Sequence, residues 1–151
     1  MGSLDFDHLL FLDGAMGTVL QQRGLPAGGQ PELLNLTQPE LLRQIYREYI
    51  EAGSQIIYAN TFGANGHKLA RTGHGVAEVI TAAVRIAKEA AEGTGVLVAL
   101  DIGPLGELLE PMGTLPFESA YDLFREMAEA GARAGADLAV IETMTDLYEA
   151  K

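Results

Sequence analysis

The chain has 151 residues, of which 48% are hydrophobic and 21% are charged, which is enough for one globular domain with its own core. Its formal net charge is −11 and it has no basic stretch, which argues against nucleic acid or an anionic membrane surface as a partner. It has no apolar run of roughly 20 residues for a membrane span, and no cysteine for a disulfide, a thiolate nucleophile or a Cys-ligated zinc. A cytoplasmic protein fits these properties best, and residues 1–8 are interpreted as an N-terminal leader or a cloning remnant.

The first predicted strand, Leu9 to Leu12, ends in Asp13 and a glycine-bearing turn. Gly14 and Gly17 permit close backbone approach, so the carboxylate would lie beside free backbone N–H groups. In α/β folds, ligands bind at this end of the sheet. The alternative is an Asp-Gly turn that only reverses the chain.

The rest of the chain alternates predicted helices and strands. After a loop over 22–36, Thr37-Gln38-Pro39-Glu40 has the pattern of a capping box for a helix that ends at Gly53. Three later strands are predicted over 55–59, 96–100 and 138–141. A helix over 76–91, closed by Gly93, lies between the first two of these strands, and the first turn of a last helix is predicted over 145–149. The helix between the second and third strands ends at Gly135 and has on its inner face Ala120, Leu123, Phe124, Met127 and Gly131.

A polar residue follows each of the four predicted strands: Asp13, Asn60, Asp101 and Glu142. Their separations of 47, 41 and 41 residues indicate a repeated βα unit. Because strand–helix–strand connections are right-handed, the strands should run parallel and bring these four residues to one edge. The alternative is a chance gathering, since strand-to-loop junctions are polar in general.

The architecture follows from the number of units. The first turn lacks the G-x-G-x-x-G spacing, and no helix pattern starts directly after it, which disfavours a dinucleotide-binding sheet. A (β/α)8 TIM barrel needs eight units, so the four parallel βα units predict half of such a barrel over residues 9–151. Two open strand edges and an exposed inner face favour completion by self-association, as a homodimer or a larger assembly.

Four ordered motifs resemble the homocysteine S-methyltransferase family, over nearly the whole chain from Leu10 onward. The segments 105–113 and 147–150 look most like the N-terminal homocysteine-binding module of the bacterial, cobalamin-dependent methionine synthases. The four motifs are Leu12-Asp13-Gly14-Ala15-Met16-Gly17-Thr18, Ala59-Asn60-Thr61-Phe62-Gly63-Ala64-Asn65, Asp101-Ile102-Gly103-Pro104 and Ile141-Glu142-Thr143-Met144.

The resemblance implies a zinc-dependent methyltransferase of methionine biosynthesis. In this family a (β/α)8 barrel holds zinc through three cysteines, and zinc binds the sulfur of homocysteine as a thiolate, which is nucleophilic at neutral pH. The thiolate takes a methyl group to give methionine. In the complete methionine synthases cobalamin carries that methyl group, and methyltetrahydrofolate is a further cofactor.

The same resemblance assigns substrate-binding residues. By motif match, Asp13 and Glu142 would bind the ammonium group of homocysteine, and the backbone N–H groups of Gly14 and Ala15 would bind its carboxylate. The residue chemistry agrees, because two carboxylates at one edge suit a cation and a glycine turn suits an anion.

Four other residues receive weaker assignments. Asn60 and Thr61 are expected to line the pocket or to orient the acids. Asp101 is expected to shape the end of its strand rather than to contact the substrate. Tyr46, where many members of the family have histidine, is interpreted as a packing or surface residue.

The sequence departs from the family because it contains no zinc cysteines. His67 and His74 are interpreted as solvated loop residues, so no catalytic residue and no metal ligand is assigned. Homocysteine binding is therefore expected to be weak and the chain inactive alone, with no bound cofactor. Two alternatives are a non-catalytic half-barrel that serves folding and assembly, and an unrelated aldolase or isomerase, which would need a lysine or a phosphate-binding glycine loop at a strand end.

Overall fold

The computed structural model describes residues 8–151. Residues 1–7, which hold most of the predicted leader, lie outside the described residues. The strands are β1 Ile56–Ala59, β2 Leu97–Ile102 and β3 Leu138–Ile141; the helices are α1 Met16–Gln22, α2 Leu34–Thr37, α3 Pro39–Glu51, α4 Gly66–Leu69, α5 Val76–Ala91, α6 Phe117–Ala134 and α7 Leu147–Ala150, and a 3₁₀ turn spans Pro31–Leu33.

The three strands form a parallel sheet in the order β1-β2-β3. Ala59 lies opposite Leu100 in the first pair, and Ile102 lies opposite Ile141 in the second. The predicted first strand, Leu9 to Leu12, is present only as a parallel bridge between Leu12 and Ile56. The predicted order and direction of the strands are therefore correct, but the first one is shorter than expected.

The helix α5 lies at the centre of the core, between α3 and α6 and against β1 and β2. Its apolar residues recur on nearly all sides, and Val79, Ile80, Val84 and Ile86 are fully buried. β2 is also buried along most of its length, as expected for a parallel strand covered on both faces. The helices α3, α5 and α6 thus pack against the sheet and fix its position.

Two predictions about the N-terminal third are wrong. A helix does follow the first turn: α1 starts at Met16, and its residues Val19 and Leu20 pack into the core. The capping box is absent, because Thr37 ends α2 and its hydroxyl donates to the carbonyl of Leu33 at 3.0 Å. The N-cap position of α3 falls on Gln38 and not on Thr37, and no side chain caps that helix. The predicted loop over 22–36 contains the 3₁₀ turn and most of α2.

Both edges of the sheet carry exposed apolar side chains. At one edge Leu9 and Phe11 are 76% and 58% exposed, and at the other Ile141 is 54% exposed. Within residues 8–151, β3 pairs only with β2, and the segment at Leu12 pairs only with β1. Over the same residues, no helix combines the length and the apolar character needed to cross a membrane.

Candidate functional site

A cavity of about 560 Å³ opens at the C-terminal ends of the strands, within the size range of small-molecule sites. It brings together parts of the chain that are far apart in sequence. Its walls are residues 13–18, Pro31, Glu32, residues 58–60, Phe62, Asp101, Glu142 and Thr143. Five of the six predicted substrate-binding residues line it, namely Asp13, Gly14, Ala15, Asn60 and Glu142, whereas Thr61 does not.

Asp13 projects into this cavity from the first strand end. Its Oδ2 accepts a hydrogen bond from the backbone N–H of Tyr58 at 3.0 Å, which holds the carboxyl group against β1. Its Oδ1 is buried and has no hydrogen-bond partner among the described residues. Burial raises the pKa of Asp13 to about 7, opposed by backbone N–H groups and assisted by the nearby charge of Glu142.

Asp101 is a second buried acid in the same cavity, with 8% of its surface exposed. Its Oδ1 also lacks a hydrogen-bond partner within residues 8–151. Burial, followed by the charges of Glu142 and Asp13, raises the pKa of Asp101 to about 8. The sequence favoured a shaping role without contact, but the structure places this carboxyl group in the wall of the cavity.

Thr61 fixes the position of Asp101 from the neighbouring strand end. Its hydroxyl donates to the carbonyl of Asp101 at 2.8 Å and accepts from the N–H of the same residue at 3.0 Å. Thr61 is fully buried. Of the two roles considered for it, the contacts therefore support orienting an acid rather than lining the cavity.

Glu142 enters the cavity from the end of β3. Its backbone N–H donates to the carbonyl of Ile102 at 3.1 Å, so the strand pairing carries the residue up to the rim. The next residue, Thr143, has a φ of 60°, a left-handed conformation that non-glycine residues rarely adopt. Such conformations cost about 1–3 kcal/mol and concentrate at functional sites.

Two residues of the turn after Asp13, Gly14 and Ala15, line the cavity and have backbone N–H groups without an acceptor among the described residues. Both residues precede α1. A Cβ atom at residue 14 would lie 3.1 Å from the Tyr49 hydroxyl, so a larger residue would be crowded there. The turn can therefore offer donors to an anion that lies near the acids.

Asn60 connects the cavity to the helices below it. Its backbone N–H donates to the buried hydroxyl of Tyr46 at 2.8 Å, and its side-chain amide donates to Pro31 and Asn35. Tyr46 is fully buried, so its predicted packing role is correct, but its hydroxyl also holds a strand end. These bonds hold the 3₁₀ turn against the sheet and close one side of the cavity.

Glu32 and Phe62 form part of the cavity wall that the sequence did not reveal. Glu32 is buried and accepts from the N–H of Gly63 at 2.7 Å. Phe62 packs so closely against Gly103 that a Cβ atom there would lie 2.4 Å from its ring. The sequence did not mark Glu32 as a site residue because Glu32 lies in a predicted loop. Phe62 lies in the motif over 59–65, but no chemical role was assigned to it.

The cavity is acidic and lacks an internal counter-charge. Within the part of the chain that the structure describes, none of the ion pairs formed by lysine, arginine or histidine includes Asp13, Asp101 or Glu142. Buried carboxylates without a counter-charge are costly unless a cation joins them. The arrangement is therefore suited to a small ligand with a positive group, and the N–H groups of the turn are suited to an adjoining negative group.

A metal centre does not fit the residues present. The sequence contains no cysteine, and residues 8–151 contain no group of three or more His, Cys, Asp or Glu side chains with the geometry to hold a metal ion. His67 lies in α4 and not in the predicted loop, whereas His74 does lie in a loop. Both side chains are exposed, at 3.6 Å from Glu107 and 3.2 Å from Glu78 respectively.

Comparisons with known proteins agree on one family. Residues 10–151 match the model of the homocysteine S-methyltransferase family. The methionine synthases of Mycobacterium leprae and Mycobacterium tuberculosis are 34% and 33% identical over 92% of the chain, which spans only 12% and 13% of their lengths.

Solved structures of the homocysteine methyltransferase MmuM from Escherichia coli have the same fold. The oxidized and metallated forms superpose with TM-scores of 0.82 and 0.81 at 28% and 27% identity, over 93% of this chain. The chain spans about half of that enzyme, 55% and 56% in the two forms. The predicted half of a barrel is confirmed by this coverage.

Proposed function

The chain belongs to the homocysteine S-methyltransferase family, and on that premise we propose that its cavity binds homocysteine for methyl transfer to the thiolate, giving methionine. The observation that carries the proposal is that, within residues 8–151, one cavity contains two acids, each with an unpartnered buried carboxyl oxygen, and backbone N–H groups without an acceptor. An α-amino acid has the complementary head group, because its ammonium and carboxylate are joined by a single carbon.

In this proposal Asp13 and Glu142 bind the ammonium group, and the N–H groups of Gly14 and Ala15 bind the carboxylate. Hydrogen bonds between charged groups are the stronger ones, which suits a head group that must be fixed before the sulfur reacts. Asn60 supports the site indirectly, since its bonds join the strand end to the 3₁₀ turn.

The chemistry at sulfur is assigned to parts of the complete enzyme that this sequence does not include. We propose that zinc activates the thiol there, and that cobalamin and methyltetrahydrofolate supply the methyl group as the resemblance to methionine synthase implies. The residues present do not fit a zinc site, so we assign no catalytic residue and no metal ligand to this chain. We propose that the chain alone binds the amino acid but does not catalyse methyl transfer. We also propose that it is a cytoplasmic protein.

The exposed apolar edges support a second role in assembly. Side chains such as Phe11 and Ile141 lie beside strand edges that have no partner within the described residues. Unpaired edges favour pairing with another chain, so we propose that the isolated chain self-associates as a homodimer or a larger assembly, whether or not it binds an amino acid. Light scattering at micromolar concentration tests this, and a monomeric mass would contradict it.

Binding is tested by nuclear magnetic resonance titration of the purified chain with L-homocysteine in metal-free buffer. We expect a dissociation constant of about 1 mM or weaker, equivalent to about −4 kcal/mol, because the sulfur has no metal partner. The control ligand is 4-mercaptobutanoate, which lacks the amino group and should bind at least about tenfold more weakly. Equal binding of the two ligands, or submicromolar binding of homocysteine, would contradict the proposal.

A further inference from the structure

The cavity contains one acid more than the proposed function uses. Asp101 is nine-tenths buried, lines the cavity, and has a carboxyl oxygen without a partner. A side chain whose only task is to shape a strand end would normally satisfy its polar atoms, since an unpartnered buried oxygen costs about 1–3 kcal/mol. Its backbone is already held by Thr61, so the free carboxyl group is not needed for that purpose.

The groups that face Asp101 are all acids or phenols. Glu142 from the end of β3, Asp13 from the first strand end and Glu32 from the 3₁₀ turn each raise its pKa through their negative charge. The phenol groups of Tyr58 on β1 and Tyr46 on α3 also interact with the charges of Asp101 and Asp13. No cation from any of these elements offsets the charge of the acids, so the empty cavity cannot easily hold all of them ionised.

Resting on the proposed function, we propose that Asp101 is a third carboxyl group of the ammonium site, and that Asp13 and Asp101 together hold a proton in the empty cavity and release it to solvent when the ammonium group binds. The balance is simple: a carboxylic acid loses its proton to water, and the ligand enters with its ammonium group still protonated. The incoming positive charge replaces the proton as the counter-charge of the cluster.

The consequence is a pH-dependent affinity. The pKa values of Asp13 and Asp101 are raised to about 7 and about 8. At a pH below these two pKa values, each ligand that binds must displace a proton. The affinity should then improve about tenfold for each pH unit when one proton is released. Above it the site is already ionised, so the affinity should become independent of pH until the ammonium group of the ligand itself titrates.

The test uses L-methionine as the probe, because it has the same head group as homocysteine but no thiol that titrates. Calorimetry of the whole chain near pH 7, in two buffers with different ionisation enthalpies, counts the protons released on binding. We expect about one proton, and a dissociation constant that falls about tenfold from pH 6 to pH 7. The matched ligand 4-(methylthio)butanoate, without an amino group, should release no proton.

Variants assign the effect to Asp101. Asp101→Asn should bind methionine at least about tenfold more weakly at pH 8 and should flatten the pH profile. Asp122→Asn removes an exposed acid on α6 and should leave both unchanged. Methionine binding without proton release would overturn this inference alone, even if Asp101→Asn failed to fold. The absence of any binding by the parent chain would overturn the proposed function as well.

Discussion

The raised pKa of Asp101 makes a prediction about stability that needs no ligand. Its pKa rises from 3.8 to about 8 in the folded chain, so the folded state binds a proton that the unfolded state has already lost. For an acid with a raised pKa, the stabilisation is complete below the unfolded value and is lost as the pH rises through the folded value. The folded chain should therefore become less stable between about pH 4 and pH 8.

The magnitude follows from the same numbers. At roughly 1.4 kcal/mol for each pH unit, a pKa of about 8 against 3.8 predicts a loss of about 3–4 kcal/mol between pH 5 and pH 8. Asp101→Asn cannot ionise and avoids this loss. The free energy of unfolding of the variant, relative to the parent chain, should thus improve by about 3 kcal/mol over that interval.

Urea unfolding followed by circular dichroism, at one fixed protein concentration, measures this difference at both pH values. Comparing variant with parent at each pH cancels the contributions of the titrating groups that do not interact with Asp101. Asp122→Asn serves as the control, and its difference from the parent should stay the same. If the difference between Asp101→Asn and the parent is equal at pH 5 and pH 8, the buried-acid argument is refuted.

Four further substitutions test the site and its supports. Asp13→Asn and Glu142→Gln should each weaken binding of homocysteine by about 1.5–3 kcal/mol, the range for a hydrogen bond to a charged group, as measured by titration. Gly103→Ala places a Cβ atom 2.4 Å from the ring of Phe62 and should lower the free energy of unfolding by about 1–3 kcal/mol. Tyr46→Phe leaves a buried backbone N–H without its acceptor and should lower the free energy of unfolding by a similar amount, about 1–3 kcal/mol.

Each of these substitutions has a matched control. Glu118→Gln changes an exposed acid and should not affect binding. Gly17→Ala adds a Cβ atom with nothing within 4 Å, inside a helix, and should be neutral or slightly stabilising. Tyr121→Phe removes a hydroxyl from a tyrosine that is 55% exposed and should be silent. An effect of the control as large as that of its partner would argue against the assigned role.

The sheet was predictable because its signals are local. Continuous apolar runs predict buried parallel strands, and a glycine after each helix marks the place where the chain turns back. Gly53 and Gly135 both have a positive φ in the structure, at 106° and 90°, which explains why glycine stands there. These features need only a few neighbouring residues, and for that reason the sequence reveals them.

The N-terminal third was harder because tertiary contacts decide its conformation. α1 has only seven residues, too few for a clear period, and it is held by the packing of Met16 and Leu20 against the core. Thr37 has the pattern of a helix cap, yet the segment before it is already helical and takes its hydroxyl. α1 therefore depends on packing against distant residues, whereas the pattern at Thr37 was overridden by the helical turn just before it.

In the candidate site, too, some residues could be predicted from the sequence and others could not. Asp13 and Glu142 were assigned by motif and do line the cavity, although their role as substrate ligands remains a prediction. Asp101 was underestimated because its strand was expected to end at Leu100, whereas β2 continues to Ile102. An acid that follows a strand is normally solvated, whereas an acid inside a buried strand is itself buried. Because β2 ends two residues later than predicted, Asp101 is a buried strand residue.

The paired hydrogen bonds of Thr61 have a consequence for how the two neighbouring strands can align. One hydroxyl bonds both backbone polar groups of Asp101, its N–H and its carbonyl, so a slip of either strand by a single position would break both bonds together. The same slip would turn the acid away from the cavity, because successive side chains point to opposite faces. The hydroxyl of Thr61 thereby disfavours a shifted strand register and keeps the carboxyl group of Asp101 on the side where a ligand can reach it.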